Sequence, residues 1–284
     1  MRHAVIAFLE ARKIRSINKR SRYADALRDV PPDLLPFWRK TASHEFPGIP
    51  GQTHFYARSL DGLLMFFDCA SRSGWPCGLP SLAADSVWHA WMQMDHDKLK
   101  QFCRRHFGRT IPHVESGDME GQMGNALAAC LIEARKLDFQ RPVAPSLPRL
   151  FTLDRDVGMP LGFNYTIEHG LVAWSRLDEA GLPQGPARYP DQLSPYGMFD
   201  AGLISESEYD LGSLLAARHR DGAACQPDGA CAGIVPDTDA GDAAVCTDGA
   251  SSESAGDAGD GGAASDGGSC GASCGGGCGG GGGD

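Results

Sequence analysis

Along most of this chain the hydrophobic positions recur every three to four residues, the period of a helix, and only one stretch alternates with the period of a strand. Val5, Phe8, Leu9, Ala11, Ile14 and Ile17 are interleaved with Arg12, Lys13, Arg15, Lys19, Arg20 and Arg22, which predicts an amphipathic first helix with a solvated basic face. Pro31, Pro32 and Pro36 end that pattern and start a new element around Leu35 to Ser43. The segment FPGIPGQ, Phe46 to Gln52, then reads as a turn-rich loop. Thr53 to Cys69 carries Phe55, Tyr56, Leu60, Leu63, Leu64, Phe66 and Phe67, an apolar density that predicts a buried helix.

A second loop, Ser71 to Pro80, precedes the most informative stretch. Ser81 is placed to cap a helix running through Met94, and on it Asp85 and His89 stand at i and i+4, one above the other on one face. Asp95 can cap a following helix whose Leu99, Phe102, Cys103 and His106 share a face, and Gly108 suits a left-handed terminus. The two helices are predicted to form a hairpin, followed by Ile111, Pro112 and His113, a glycine-containing loop, and a helix from about Asn125 to Leu137. From Arg141 to Ser194 prolines and glycines break the periodicity. Phe163, Tyr165 and Ile167 alternate with polar residues as in a short strand, which Leu171 to Trp174 could pair. Ser205 and Glu208 make a capping box before Tyr209 to His219. The expected fold is therefore mainly α. A helical domain over 1–140 contains the hairpin, an irregular proline-rich extension with a small β segment over 141–220 closes on a short helix, and 221–284 forms a tail.

Composition separates that tail from the body. From Asp221 to Asp284 it holds 20 of the 37 glycines and eleven acidic residues, with no Lys, Arg, Phe, Tyr or Trp. With Ile234, Val235 and Val245 as its only large aliphatic residues, it has too little to bury to offset a backbone ordering cost of roughly 1 to 2 kcal/mol per residue, so disorder is expected. The chain carries −10 and the tail −11, which leaves the body near +1. A nearly neutral body gives no reason to expect nucleic acid as a partner. Only Cys69, Cys77, Cys103 and Cys130 of the ten cysteines lie in the body, as in a reduced intracellular protein. The apolar run Ala4 to Leu9 has its basic residues after it, the wrong order for a signal peptide, and no stretch is long enough for a transmembrane segment. A cytoplasmic location is expected.

The candidate chemistry gathers in the predicted hairpin. His89, Cys103 and His113 are borderline and soft ligands from two helices and the loop after them, and with Asp85 as fourth or supporting ligand they could approach a tetrahedral zinc site. The competing account has Asp85 orienting His89, Trp88 in the core, and Cys103 as a small buried hydrophobe. A Cys103 nucleophile would need His89, His106 or His113 as its base. No phosphate-binding glycine loop, dinucleotide fingerprint or nucleophile elbow is present. In the tail, Cys270, Cys274 and Cys278 recur every four residues amid glycine, fewer ligands than a closed metal site needs.

The segment Ala83 to Glu115, with Asp85, Trp88, His89, Cys103, Phe107, Gly108 and His113, resembles the signature of the glycine-rich-domain-protein-like (GRDP-like) family. The resemblance covers about Phe37 to Glu115. Two positions depart from it: Trp91 stands where the family has a second His, and Leu99 near where it tends to have Tyr. The resemblance implies a mostly helical domain of unknown molecular function, and it supplies no reaction. The expectation is a non-enzymatic binding or scaffold protein whose body presents a Trp88/His89 face to an unknown protein partner. The alternative is a zinc- or iron-dependent enzyme using His89, Cys103 and His113.

Overall fold

The computed structural model describes residues 19, 21–114 and 122–223. The run from Val5 to Ile17, the loop 115–121 and the tail beyond 223 therefore lie outside the described residues, as do six of the ten cysteines.

Among the described residues the fold is mainly α, with eight helices and one small sheet. In chain order the helices are α1 (Ala24–Arg28), α2 (Leu34–Glu45), α3 (Thr53–Arg72), α4 (Leu82–Phe107), α5 (Met123–Phe139) and α6 (Arg149–Val157). Strands β1 (Phe163–Glu168), β2 (Leu171–Leu177) and β3 (Pro183–Arg188) follow, then a 3₁₀ turn (Asp191–Leu193), α7 (Pro195–Asp200) and α8 (Glu206–Ala223). No helix among the described residues is long and apolar enough to cross a membrane.

Helix α3 organises the core. It is apolar on nearly every side, and it packs against α4, α5 and α6 together, which is what such a helix requires. Trp38 of α2 is fully buried and donates its indole N–H to Ser86 Oγ at 3.0 Å, fixing α2 onto α4. Pro36 is tolerated because it sits in the first turn of α2, where the missing N–H has no intrahelical partner to lose.

The predicted hairpin is present as one long helix broken at a corner. Asp95 leaves helical geometry (φ −165°, ψ 90°) and its Oδ1 accepts the Lys98 N–H at 2.9 Å, capping the second half. Trp91 and Phe102 consequently pack with ring centroids 4.7 Å apart, whereas eleven residues of straight helix would separate them by about 16 Å. Gly108 ends α4 at φ 76°.

The proline-rich extension is more ordered than its composition predicts. Helix α6 was not anticipated, and it holds the sheet to the core by packing against both α3 and β1. Strands β1 and β2 pair antiparallel with Tyr165 opposite Trp174, and Glu168 opposite Leu171 closes the hairpin over His169 and Gly170. Both turn residues have positive φ, 50° and 76°, the requirement of the tight turn that matches strand twist. β3 carries Pro183 and Pro186 and lies at the edge, where a missing N–H costs no ladder bond.

One buried carboxylate joins these parts. Asp154 of α6 accepts from Ser81 Oγ at 2.6 Å, from the Leu82 and Ala83 amides at 3.0 Å each, and from the Phe163 amide at 3.0 Å. It thus caps α4 and fixes the entry to β1. Ser81 Oγ in turn accepts from Ala84 N at 3.1 Å, as its N-cap position predicts. The capping box at α8 is also present, with Glu208 accepting from Ser205 N at 2.7 Å.

Candidate metal centre

The first half of α4 carries Asp85 and His89 one turn apart, and the bend at Asp95 and the stop at Gly108 bring the returning chain, with His113, back to the same turn. Their ligand atoms converge. His89 Nε2 and His113 Nε2 are 3.1 Å apart, His113 Nε2 is 3.2 Å from Asp85 Oδ1, and His89 Nε2 is 3.5 Å from Asp85 Oδ2. Among the described residues these three form the one group of His, Cys, Asp or Glu side chains close enough together to hold a metal ion. All three are partly buried, with side-chain exposures of 28, 16 and 24% for His89, His113 and Asp85, so the group is reachable but shielded.

The aromatic surroundings orient both rings. Trp88 meets His113 edge to face at 4.6 Å, and Phe46 meets His89 at 5.8 Å. Trp88 itself is buried against Phe66 and Phe67. It is a wall of the site and not an exposed face, which corrects the expectation of a Trp88/His89 surface presented to a partner.

Sequence reasoning missed Glu45, the last residue of α2. Its Oε2 lies 2.6 Å from His89 Nδ1, and Gln93, one turn beyond His89, donates to its other oxygen. A carboxylate only accepts, so Nδ1 of His89 carries the proton. In the neutral ring the lone pair is then at Nε2, the atom that faces His113 and Asp85. A histidine oriented this way by a carboxylate is the usual supporting arrangement of a metal ligand. No spacing in the sequence could have pointed to Glu45, because 44 residues separate it from His89.

Cys103 does not join the group. Its side chain is buried in the core and receives a hydrogen bond from the Ile111 backbone, two residues before His113. Burial pushes its thiol up to about 12, with the Ile111 contact acting weakly in the opposite direction. At neutral pH Cys103 is a protonated thiol that anchors the loop delivering His113. His106 is turned to Asp29, 3.0 Å from its Oδ2.

Trp91 is fully buried against Phe102. A residue two positions after His89 cannot share its helix face, so the departure from the family signature at Trp91 does not remove a ligand from this group. On its outer side His113 lines a cleft of about 550 Å³ together with Met92, His96, Lys100 and Thr110.

No protein-family model matches this chain, and neither a curated protein nor a solved structure matches it.

Proposed function

We propose that this chain is a metal-binding protein in which Asp85, His89 Nε2 and His113 Nε2 hold a divalent transition metal, zinc or iron(II). The observation that carries the reading is the spacing of the ligand atoms. In a tetrahedral site with bonds of about 2.0 to 2.1 Å, neighbouring ligand atoms stand about 3.3 Å apart. The two Nε2 atoms stand 3.1 Å apart and Asp85 Oδ1 is 3.2 Å from His113 Nε2, both close to that value, while His89 Nε2 approaches the other carboxylate oxygen, Oδ2, at 3.5 Å. Hydrogen bonding accounts for the cluster less well. With both rings neutral and the His89 proton on Nδ1, one Nε2 proton on His113 cannot serve both His89 and Asp85, and His89 Nε2 is left facing a carboxylate oxygen, acceptor against acceptor. A cation at the centre relieves that contact.

Two histidines and one carboxylate leave coordination positions open, as in catalytic zinc and non-haem iron sites and unlike closed structural ones. That favours a metal-dependent enzyme over the scaffold role. The GRDP-like resemblance supports the same focus, because its positions act as a unit: Asp85 and the two histidines converge, Trp88 walls the site, Cys103 anchors the loop, and Gly108 turns it. The non-enzymatic binding reading draws instead on α7 and α8, where Tyr196 and Leu214 are 63 and 51% exposed.

The test is metal content of the full chain after zinc loading and desalting, compared with His89→Ala and His113→Ala. Each variant should lose one equivalent of zinc relative to the parent, which cancels any metal held by the tail cysteines. Equal zinc content in parent and variants would refute the reading.

A further inference from the structure

A second cluster of reactive side chains lies away from Asp85, His89 and His113. Cys130, fully buried on α5, has Cys69 of α3 and Cys77 of the loop between α3 and α4 as its thiol neighbours. The loop is seated on α5 by its backbone. Gly78 N donates to Ala126 O at 2.9 Å, and a Cβ on Gly78 would stand 3.1 Å from Met123 Sδ and 3.4 Å from Leu127 Cδ2. Ala126 is one helical turn before Cys130, so this contact sets Cys77, the residue next to Gly78, over the turn that carries Cys130. Cys77 is half-buried, whereas Cys69 and Cys130 are buried, so it is the member a small oxidant reaches.

We propose that Cys77 and Cys130 are a peroxide-responsive dithiol, with Cys77 the attacking sulfur and Cys130 the resolving one. The Cys77 thiolate attacks one oxygen of hydrogen peroxide, the O–O bond breaks, and the departing hydroxide is protonated to water. Cys77 becomes a sulfenic acid. The Cys130 sulfur then attacks the Cys77 sulfur, the S–O bond breaks, and the hydroxide leaves with the Cys130 proton as a second water. Two thiols lose two electrons in total and one peroxide is reduced to two waters.

The surroundings suit these roles. The Cys77 thiol is held below its ordinary value chiefly by the neighbouring Cys130 thiol, with Ser73 and the Arg109 charge adding to the lowering and burial and the Glu133 charge opposing it. Cys130 is held well above the ordinary value, first by burial and then by its two thiol neighbours. Full burial disfavours the Cys130 thiolate more than that of half-buried Cys77, so Cys130 keeps the proton that the second step releases.

The test treats the reduced full chain with hydrogen peroxide, blocks the remaining thiols, and maps peptides by mass spectrometry. The six tail cysteines serve as internal references for an ordinary exposed thiol. The expected result is a linked pair of peptides containing Cys77 and Cys130, lighter by two hydrogens than the reduced pair, formed before half of the tail thiols react and reversed by a dithiol reductant. Cys77→Ser should abolish the link and leave Cys130 reduced. Because Cys130 is buried, Cys130→Ala is paired with it as a second variant, in which Cys77 should pass to the sulfinic acid. Linkage of Cys77 to any other cysteine, or a Cys77 that stays reduced while the tail oxidises, would overturn the proposal.

Discussion

Glu45 Oε2 and His89 Nδ1 meet at 2.6 Å although the two residues belong to different helices. The contact is made at the C-terminal end of α2, and Trp38, in the first half of that helix, locks it against α4 through Ser86. Glu45 therefore sets the tautomer of His89 and aims its Nε2, without itself reaching the centre of the site.

Removing that support should weaken metal binding without abolishing it. For Glu45→Ala we expect zinc affinity to fall about 10- to 100-fold at unchanged stoichiometry, measured by competition with a chromophoric chelator. Glu45 is exposed, so the unfolding midpoint of the metal-free chain should move by no more than about 0.5 kcal/mol equivalent. An unaltered affinity would show that Glu45 only happens to lie beside the ring.

Cys103→Ala separates an anchor from a ligand. Its sulfur packs in the core and receives the Ile111 amide, so truncation should cost about 1 to 2 kcal/mol of stability in denaturant. Zinc stoichiometry should stay at the parent value. The cobalt-loaded protein should show no change in thiolate charge-transfer absorption, since this thiol is not among the three converging groups. Loss of that absorption in the variant would make Cys103 a ligand after all.

The elements that were legible in the sequence are those whose signals are local. Ser81, Asp95, Gly108 and the Ser205 to Glu208 box are helix ends set by one or two side chains, and each appears where its residue type requires. The i, i+4 spacing of Asp85 and His89 likewise needs only helical geometry. Helix α6 was hidden because it has no side-chain N-cap, starting from Pro148, and its carboxylate Asp154 serves another helix's cap. The three converging residues were legible, but one supporting residue was hidden and one expected ligand was misplaced, for a related reason. Glu45 enters through α2 packing on α4, and Cys103 is turned into the core by the bend at Asp95, neither of which a spacing along the chain encodes.

Alkaline pH should destabilise the fold. The folded-state thiol of Cys103 is raised from 9.0 to about 12, and the buried phenols of Tyr23, Tyr56 and Tyr165 are also raised, in each case chiefly by burial. A raised value means that between the unfolded and folded values the native state binds more protons than the unfolded one. Stability from these groups is complete below about pH 9 and is lost as pH rises toward 12. Denaturation midpoints measured from pH 7 to 11 should fall progressively above pH 9, and less steeply in Cys103→Ala. A flat profile would mean that the four groups ionise as freely in the native state as in the unfolded chain.

Asp154 offers the sharpest test of how the fold positions the site. Its two oxygens take four donors from two elements, the capped start of α4 and the start of β1, and Asp154→Ala leaves Ser81 Oγ and the Leu82, Ala83 and Phe163 amides without that acceptor. An unsatisfied buried donor costs about 1 to 3 kcal/mol, and water entering the vacated space recovers part of that, so a loss on the order of 3 to 5 kcal/mol is expected. The consequence should extend to the metal. Residues 81–83 are the first turn leading to Asp85 and His89, so fraying there loosens two ligands while leaving their chemistry intact. Zinc should accordingly raise the melting temperature of Asp154→Ala, whereas His89→Ala, which lacks a ligand, should show no zinc-dependent rise. If zinc stabilises neither variant, Asp154 and the three ligands are joined more tightly than a shared helix start implies. If it stabilises both equally, the stabilising zinc is bound elsewhere in the chain.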